Sequence, residues 1–390
     1  MNSLEIFAGG GGLALGVSTA GFTHTSLIEW DTESAKTLYH NYKKFGFSND
    51  KEWILNNDIH DLSFSDFADK IDLLSGGPPC QPFSIGGKHK AYNDKRDLFT
   101  EATRTLAEIH PKAFIFENVR GLLRKHFSKY FGYIILQLTY PEVSLKDNEK
   151  WLEHLARLEK YHTGSSEKSL SYNVVFRLVN AADYGVPQKR ERVFIIGFRN
   201  DVNGNWSFPA ATHSEDALLF DKYISKNYWK KHDLKFFDKH NNPVNISLFD
   251  TFDKKPWVTV RDAIGDLPNP IENNVFYNHK YQRGAKAYPG HTGSMLDEPA
   301  KTIKAGAHGV PGGENMVVLD DGSFRYFTVR EAARIQTFPD DYFFPCSWTE
   351  SMRQIGNAVP VKLGAIVANS VKETLYASKR NNKKNDRKNF

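Results

Sequence analysis

Residues 4–16 read LEIFAGGGGLALG: two apolar residues around one glutamate, a phenylalanine and an alanine, four successive glycines, then a short apolar helical pattern. An apolar strand running through a glycine turn into a helix is the opening of a βαβ unit. Within the turn, Gly9, Gly11 and Ala14 satisfy the G-x-G-x-x-G/A spacing. Such spacing permits a tight turn and close backbone approach, with the helix N-terminus facing a bound group. Glu29 follows about 20 residues later at the end of the next apolar run, where an acidic side chain meets ribose hydroxyls. Asp58, in NNDI, suits the end of a third strand and an adenine amino group. An adenosine-type cofactor is expected, with NAD, FAD and S-adenosylmethionine all open at this point.

Working outward, LEIF, TSLIEW, KIDLLS, AFIFENV, YNVVFRLVNA and RVFIIGF read as strands. Helical patterns fit near 13–20, 32–45 and 98–109. Alternating strands and helices predict an α/β fold with a doubly wound, mostly parallel sheet. A polar stretch within 140–172, KDNEKWLEHLARLEKYH, reads as a surface helix inserted into that scheme. The βα rhythm stops after Arg199. The expected division is a catalytic and cofactor-binding domain over 1–199, a smaller domain over 200–325, a C-terminal segment over 326–377 returning to the first, and a basic disordered tail over 378–390. Within 326–377, TVREAARIQTF reads as a helix and Pro360 as the start of a long one.

The 390 residues are 40% hydrophobic and 25% charged, with a net charge of +5. These values fit a soluble globular protein and allow a polyanionic partner without requiring one. Two cysteines rule out a disulfide framework and suit a reducing cytosol. No stretch is long and apolar enough for a membrane span, and the first strand begins too early for a signal peptide or an N-terminal regulatory module. A cytoplasmic protein is expected.

One of the two cysteines is placed unusually. SGGPPCQPFS (75–84) follows the apolar run IDLL, and Pro78 and Pro79 stiffen the approach to Cys80. Cys346, in FFPCSW, has the setting of an ordinary structural thiol. If KIDLLS is a strand of the sheet, Cys80 leaves its carboxyl end, the edge at which open α/β sheets bind ligands. AFIFENV delivers Glu117 and Asn118 to the same edge; the alternative for Glu117 is a salt bridge to a neighbouring helix. A nucleophile facing an acid suggests chemistry on a small planar substrate. In QKRER (188–192), Arg190 and Arg192 are expected to share one face of an extended segment and to hold carbonyl or phosphate oxygens.

In this order the motifs resemble the cytosine-5 DNA methyltransferases of the bacterial and phage restriction-modification type. The resemblance is carried by FAGGGG (7–12), EWD (29–31), NDI (57–59), GGPPCQPFS (76–84), DKRDLF (94–99), ENV (117–119), QKRER (188–192), REAARIQTFP (330–339) and QIGNAVP (354–360). It implies S-adenosylmethionine as methyl donor, S-adenosylhomocysteine as product, no metal, and a cytosine flipped out of double-stranded DNA as substrate. By resemblance, Cys80 adds to carbon 6 of the ring, Glu117 hydrogen-bonds ring nitrogen 3 and the exocyclic amino group, Arg192 holds the base carbonyl and Arg190 supports the site. The cofactor would meet Phe7, Ala8, Gly9, Gly10, Gly11, Gly12, Glu29, Trp30, Asp58, Ile59, Pro79, Leu98, Asn357, Ala358 and Val359. Asn357 is expected to open the last helix. Departures are mild: Ala332 stands where a cysteine is usual and Thr337 where glycine is common.

Residues 84–96 fit a closing loop in which Ser84, Lys88 and Arg96 meet DNA. The 200–325 segment would recognise the target, with Arg283, Lys304 and His308 as candidate DNA contacts. A tRNA methyltransferase of the same fold and a catalytically silent DNA-binding relative are the rival readings; a nicotinamide oxidoreductase leaves PPCQPFS unexplained. The expected enzyme is monomeric and works beside a separate cognate restriction endonuclease.

Overall fold

β1 (Asn2–Ile6) buries Leu4 and Ile6 and runs through the glycine turn into α1 (Gly12–Thr19). The computed structural model describes residues 1–47, 53–79, 98–164, 170–202, 204–235, 253–272, 275–289, 292–306 and 315–386. Gly11 caps α1 at φ 81°, a left-handed conformation open to glycine at little cost. β2 (Thr23–Ile28) follows, then α2 (Thr32–His40), whose first turn is closed by Asp31 accepting from the Ser34 N–H at 2.9 Å. The short β3 (Ile54–Leu55), β4 (Leu73–Gly76), α3 (Phe99–Ile109) and β5 (Ala113–Val119) continue the alternation. β4 and most of β5 are buried throughout, as expected of strands covered on both faces.

With β6 (Tyr172–Asn180) and β7 (Glu191–Arg199), the seven strands lie in the order β3-β2-β1-β4-β5-β7-β6. β1 to β5 pair in parallel and β7 runs antiparallel to β5. The order reverses between β1 and β4, so their carboxyl ends diverge and leave a crevice. Gly76 sits at that point: a Cβ there would lie 2.5 Å from the carbonyl oxygen of Ile6, so no larger residue fits.

The inserted segment is more than a surface decoration. α4 (Ser128–Thr139) and α5 (Trp151–Thr163) pack together, and Leu155 and Leu158 of α5 join the main core with Ile134, Leu138, Phe114 and Phe116. Buried His154 donates from Nε2 to the Val143 carbonyl at 2.6 Å, with Nδ1 2.8 Å from the Tyr133 hydroxyl.

The chain divides into two compact units, 1–179 with 191–208 and 364–390, and 180–190 with 209–363. These boundaries differ from those drawn on the sequence. Residues 326–363 and 180–190 belong to the second unit, whereas 200–208 belong to the first. Buried polar contacts explain the difference. Within the second unit, Gln188 donates to Gln336 (3.1 Å) and accepts from the Ile303 N–H (2.9 Å), joining segments whose connection leaves no periodic trace in the sequence.

The second unit is built from short pieces. They include a three-stranded sheet (Ser294–Met295, Met316–Val318, Phe324–Tyr326), a helix Val329–Ile335 with a Thr328/Glu331 capping box, and a helix Trp348–Asn357. Asn357 therefore closes a helix rather than opening the last one, which runs Val361–Asp386. In the first unit that last helix lies on α1, with Gly364 against Leu13 and Lys372 donating to the Ala20 carbonyl at 2.7 Å. The expected disordered tail is instead helical as far as Asp386. Propagating a helix already nucleated by packing is far easier than starting one, so a polar Lys/Asn run can extend it. Among the described residues no helix is long and apolar enough to cross a membrane.

Candidate active site

The crevice at the ends of β1 to β4 is lined by Phe7, Ile28, Glu29, Trp30, Asn57, Asp58, Ile59, His60, Pro79 and Leu98. Phe7 holds φ 56°, a left-handed conformation costing a bulky residue about 1–2 kcal/mol, and such strain gathers at functional turns. Glu29 is buried, and its two oxygens accept the N–H groups of Gly9 (2.6 Å) and Asp31 (2.8 Å). One carboxylate thus clamps the glycine turn to the end of β2. Asn56 donates to the carbonyls of Glu29 and Trp30, both at 2.9 Å, and leaves the Trp30 indole 71% exposed. Asp58 accepts from the His60 N–H and ring Nδ1, and these hydrogen bonds hold its carboxyl below the usual carboxylate range. Pro79 and Leu98 meet where the Leu98 N–H donates to the Pro79 carbonyl at 3.4 Å.

Glu117 stands near the end of β5. Its Oε1 lies 2.8 Å from Nε of Arg192 on β7, and both side chains are almost fully buried. In the ladder Val119 opposes Arg192, so Glu117 and Arg192 are diagonal neighbours on one face of the sheet. Burial pushes the Arg192 guanidinium down from its ordinary value, and the Glu117 carboxylate counteracts that shift. Oε2 of Glu117 points toward Gly77, 3.6 Å from where a Cβ would stand. Next in sequence, Asn118 accepts from the Val119 N–H and donates from Nδ2 to the buried carbonyl of Pro78 at 2.9 Å. The arrangement can grip a planar polar group between a carboxyl and a guanidinium, beside the segment that leads to residue 80.

The sequence matches the family described as C-5 cytosine-specific DNA methylase over residues 1–140 and 152–373. The chain belongs to that family. Among its relatives, the Type II methyltransferase M.FnuDI of Fusobacterium nucleatum is 31% identical over 394 residues, covering 96% of this chain and 95% of the relative. M.Sau96I of Staphylococcus aureus, also named a Type II methyltransferase, is 32% identical over 377 residues, covering 95% and 75%. The fold is shared with the Dnmt2 methyltransferase of S. pombe, at TM-score 0.58 and 18% identity over 96% of this chain and 99% of that one. It is shared too with the Entamoeba histolytica methyltransferase EhMeth, at TM-score 0.55 and 15% identity over 97% and 98%.

This DNA cytosine-5 methyltransferase departs from the sequence reading at Arg190. Arg190 precedes β7, where strand alternation does not yet apply. Its guanidinium is fully buried in the second unit and donates to the carbonyls of Ile303 (3.0 Å), Gly356 (2.7 Å) and Ala358 (2.9 Å). It secures two main-chain segments of the second unit, at Ile303 and at Gly356–Ala358. Asn357, Ala358 and Val359 also lie in the second unit. Cys80, Ser84, Lys88, Arg96 and His308 lie outside the described residues. Arg283 and Lys304 are both exposed in the second unit. Thr337, in the position where glycine is common, takes φ 61° as a glycine would.

Sequence reasoning missed Asn56, Asn57 and His60 around the crevice, and the positioning contact of Asn118. The run NND before Ile59 was the available signal for the first two. No pattern marks a side chain that reaches a carbonyl 40 residues earlier. Among the described residues there is no cluster of three or more His, Cys, Asp or Glu side chains able to hold a metal.

Proposed function

We propose that the enzyme methylates carbon 5 of a cytosine flipped out of duplex DNA, through a covalent adduct with Cys80 and with S-adenosylmethionine as donor. The observation that carries this reading is the buried Glu117–Arg192 pair, set beside the Gly77–Pro79 segment that leads into Cys80.

The crevice residues fit the cofactor. Glu29 is a buried carboxylate at the end of β2, where an acidic side chain meets ribose hydroxyls, and the exposed Trp30 ring with Ile28, Ile59 and Leu98 suits a purine. S-adenosylmethionine supplies an electrophilic methyl group when bound. The protein's task is to make carbon 5 nucleophilic. The Cys80 thiolate forms a bond to carbon 6, and the electron pair displaced from the 5,6 double bond is delocalised toward carbon 5, nitrogen 3 and the carbonyl oxygen. Glu117 shares a proton with nitrogen 3 and accepts from the exocyclic amino group, while Arg192 donates to the carbonyl oxygen. With the methyl group on carbon 5 and S-adenosylhomocysteine released, a water molecule takes the proton from carbon 5, and the electron pair left behind re-forms the 5,6 double bond and expels Cys80 as thiolate. Glu117 and Arg192 act throughout without net change of charge.

Relatives named Type II methyltransferases support a sequence-specific modification role in restriction-modification, in the cytoplasm and opposite a cognate endonuclease. The test is single-base mapping of 5-methylcytosine in DNA from a host expressing the protein, beside a Cys80→Ala control. Methylation at one short recurring motif is expected with the parent alone, while the variant keeps its fold and its cofactor affinity. Methylation by Cys80→Ala at the parental rate would reject the covalent route. Unmodified DNA with modified tRNA would move the substrate to RNA.

A further inference from the structure

Residues 275–289 of the second unit read VFYNHKYQRGAKAYP: three cations, four aromatic rings and no carboxylate in fifteen residues. No helix or strand organises this stretch, yet it is firmly anchored. Asn278, at φ 62°, accepts the Phe344 N–H at 3.0 Å and donates to the Phe344 carbonyl at 2.8 Å. Its own carbonyl accepts the Arg330 N–H at 2.9 Å. His279 is fully buried, donating from Nε2 to the Pro268 carbonyl at 2.8 Å, with Nδ1 2.9 Å from the Thr328 hydroxyl. Around this two-residue staple, Tyr277 (74% exposed), Tyr281 and Tyr288 are turned to solvent, as are Lys280, Arg283 and Lys286.

The charges are distinctive in one respect. Elsewhere in this unit several exposed or half-buried arginines are matched to carboxylates: Arg261 to Asp297 and Asp320, Arg325 to Glu331, Arg334 to Asp266 and Asp340. Among the described residues Lys280, Arg283 and Lys286 have no such partner. An acid-free row of cations interleaved with tyrosines complements a polyanion, because lysine, arginine and tyrosine all donate to phosphate oxygens.

We propose that residues 275–289 form a preorganised strip that tracks the sugar–phosphate backbone of duplex DNA, with Lys280, Arg283 and Lys286 on phosphates and the three tyrosines beside them. The inference rests on the DNA methyltransferase reading and assigns the strip a positioning task, without base readout. Because Asn278 and His279 already order the segment, DNA binding does not have to order it again.

The experiment compares Lys280→Gln/Arg283→Gln/Lys286→Gln with a control that removes the same charge from the first unit, Lys129→Gln/Lys146→Gln/Lys160→Gln. Binding to a duplex carrying the mapped methylation motif and to an unrelated duplex is read by fluorescence anisotropy between about 50 and 200 mM salt. In the strip variant the log–log salt slope is expected to become shallower by about one unit per lost phosphate contact, with equal loss of affinity on both duplexes. Cofactor affinity and thermal unfolding are expected to stay at parental values. The strip is overturned if the slope is unchanged while the parent binds and methylates DNA, or if the control lowers the slope equally. A loss confined to binding of folded tRNA also overturns it. A parent that binds no duplex DNA rejects the methyltransferase reading and the strip together.

Discussion

Nε of Arg192 lies 2.8 Å from Oε1 of Glu117 across the antiparallel pairing of β7 with β5, and both groups are almost fully removed from water. A buried pair of this kind is costly to break from one side only. Glu117→Gln or Arg192→Leu alone is expected to cost about 3–5 kcal/mol of stability, because one charge stays buried without its partner. The double variant should recover part of that loss. Methyl transfer should not recover with it: each single variant and the double are expected to lose at least about 10²-fold in single-turnover rate. A double variant regaining activity along with stability would show that the pair is structural only.

Asn118 ties the end of β5 to Pro78, two residues before Cys80. Asn118→Ala should lower the single-turnover rate by about 10- to 100-fold, since misplacement of a nucleophile by about 1 Å is felt on that scale. Cofactor affinity, measured by calorimetry, should hold. Asn118→Asp should be worse than Ala, because it sets an acceptor against the Pro78 carbonyl. Equal losses in rate and in cofactor affinity would point to general disruption.

Arg190 and Arg192 lie two residues apart in one motif and should fail differently. Arg190→Met leaves the carbonyls of Ile303, Gly356 and Ala358 without their donor, each costing about 1–3 kcal/mol when buried. A large fall in thermal stability is expected, with the rate per folded molecule within a few-fold of the parent. The check is single-turnover kinetics well below the variant's unfolding temperature.

Beneath the glycine turn, Glu5 accepts from the Ser75 hydroxyl (2.6 Å) and from the Ala14 main chain, and burial pushes its carboxyl up to about 8. Between pH 4.5, its ordinary value, and about 8, the folded state keeps a proton that the unfolded chain has lost, so stability falls as pH rises. His24, on neighbouring β2, donates from Nε2 to the Ala14 carbonyl (2.8 Å) and is held down to about 4 by burial. It acts oppositely from about 4 to 6.5, where the unfolded chain binds the extra proton and stability rises with pH. The effects offset each other in the overlap, leaving a Glu5-driven decline from pH 6.5 to about 8 with a limiting slope of about 1.4 kcal/mol per pH unit. Glu5→Gln should flatten it, so the variant's melting temperature relative to the parent should climb across that window. A pH-independent difference would remove Glu5 as the cause.

The sheet, the glycine turn and the chemistry-bearing motifs were legible along the chain, because each rests on local signals: strand period, turn residues, and spacing. LEIF, IDLL and AFIFENV could be read as buried parallel strands from composition alone, and Glu29 could be placed from its distance to the turn. What each side chain touches emerged only with the fold. The fold gave Arg192 to Glu117 and Arg190 to three carbonyls of the second unit, although the two stand in one motif and look equivalent there. It turned the polar insertion into part of the core by burying Leu155 and Leu158, and it drew residues 326–363 into the second unit. The staple at Asn278 and His279 was equally hidden. Hydrogen bonds of this kind join residues tens of positions apart, so no periodicity records them, and they form only once the chain has folded.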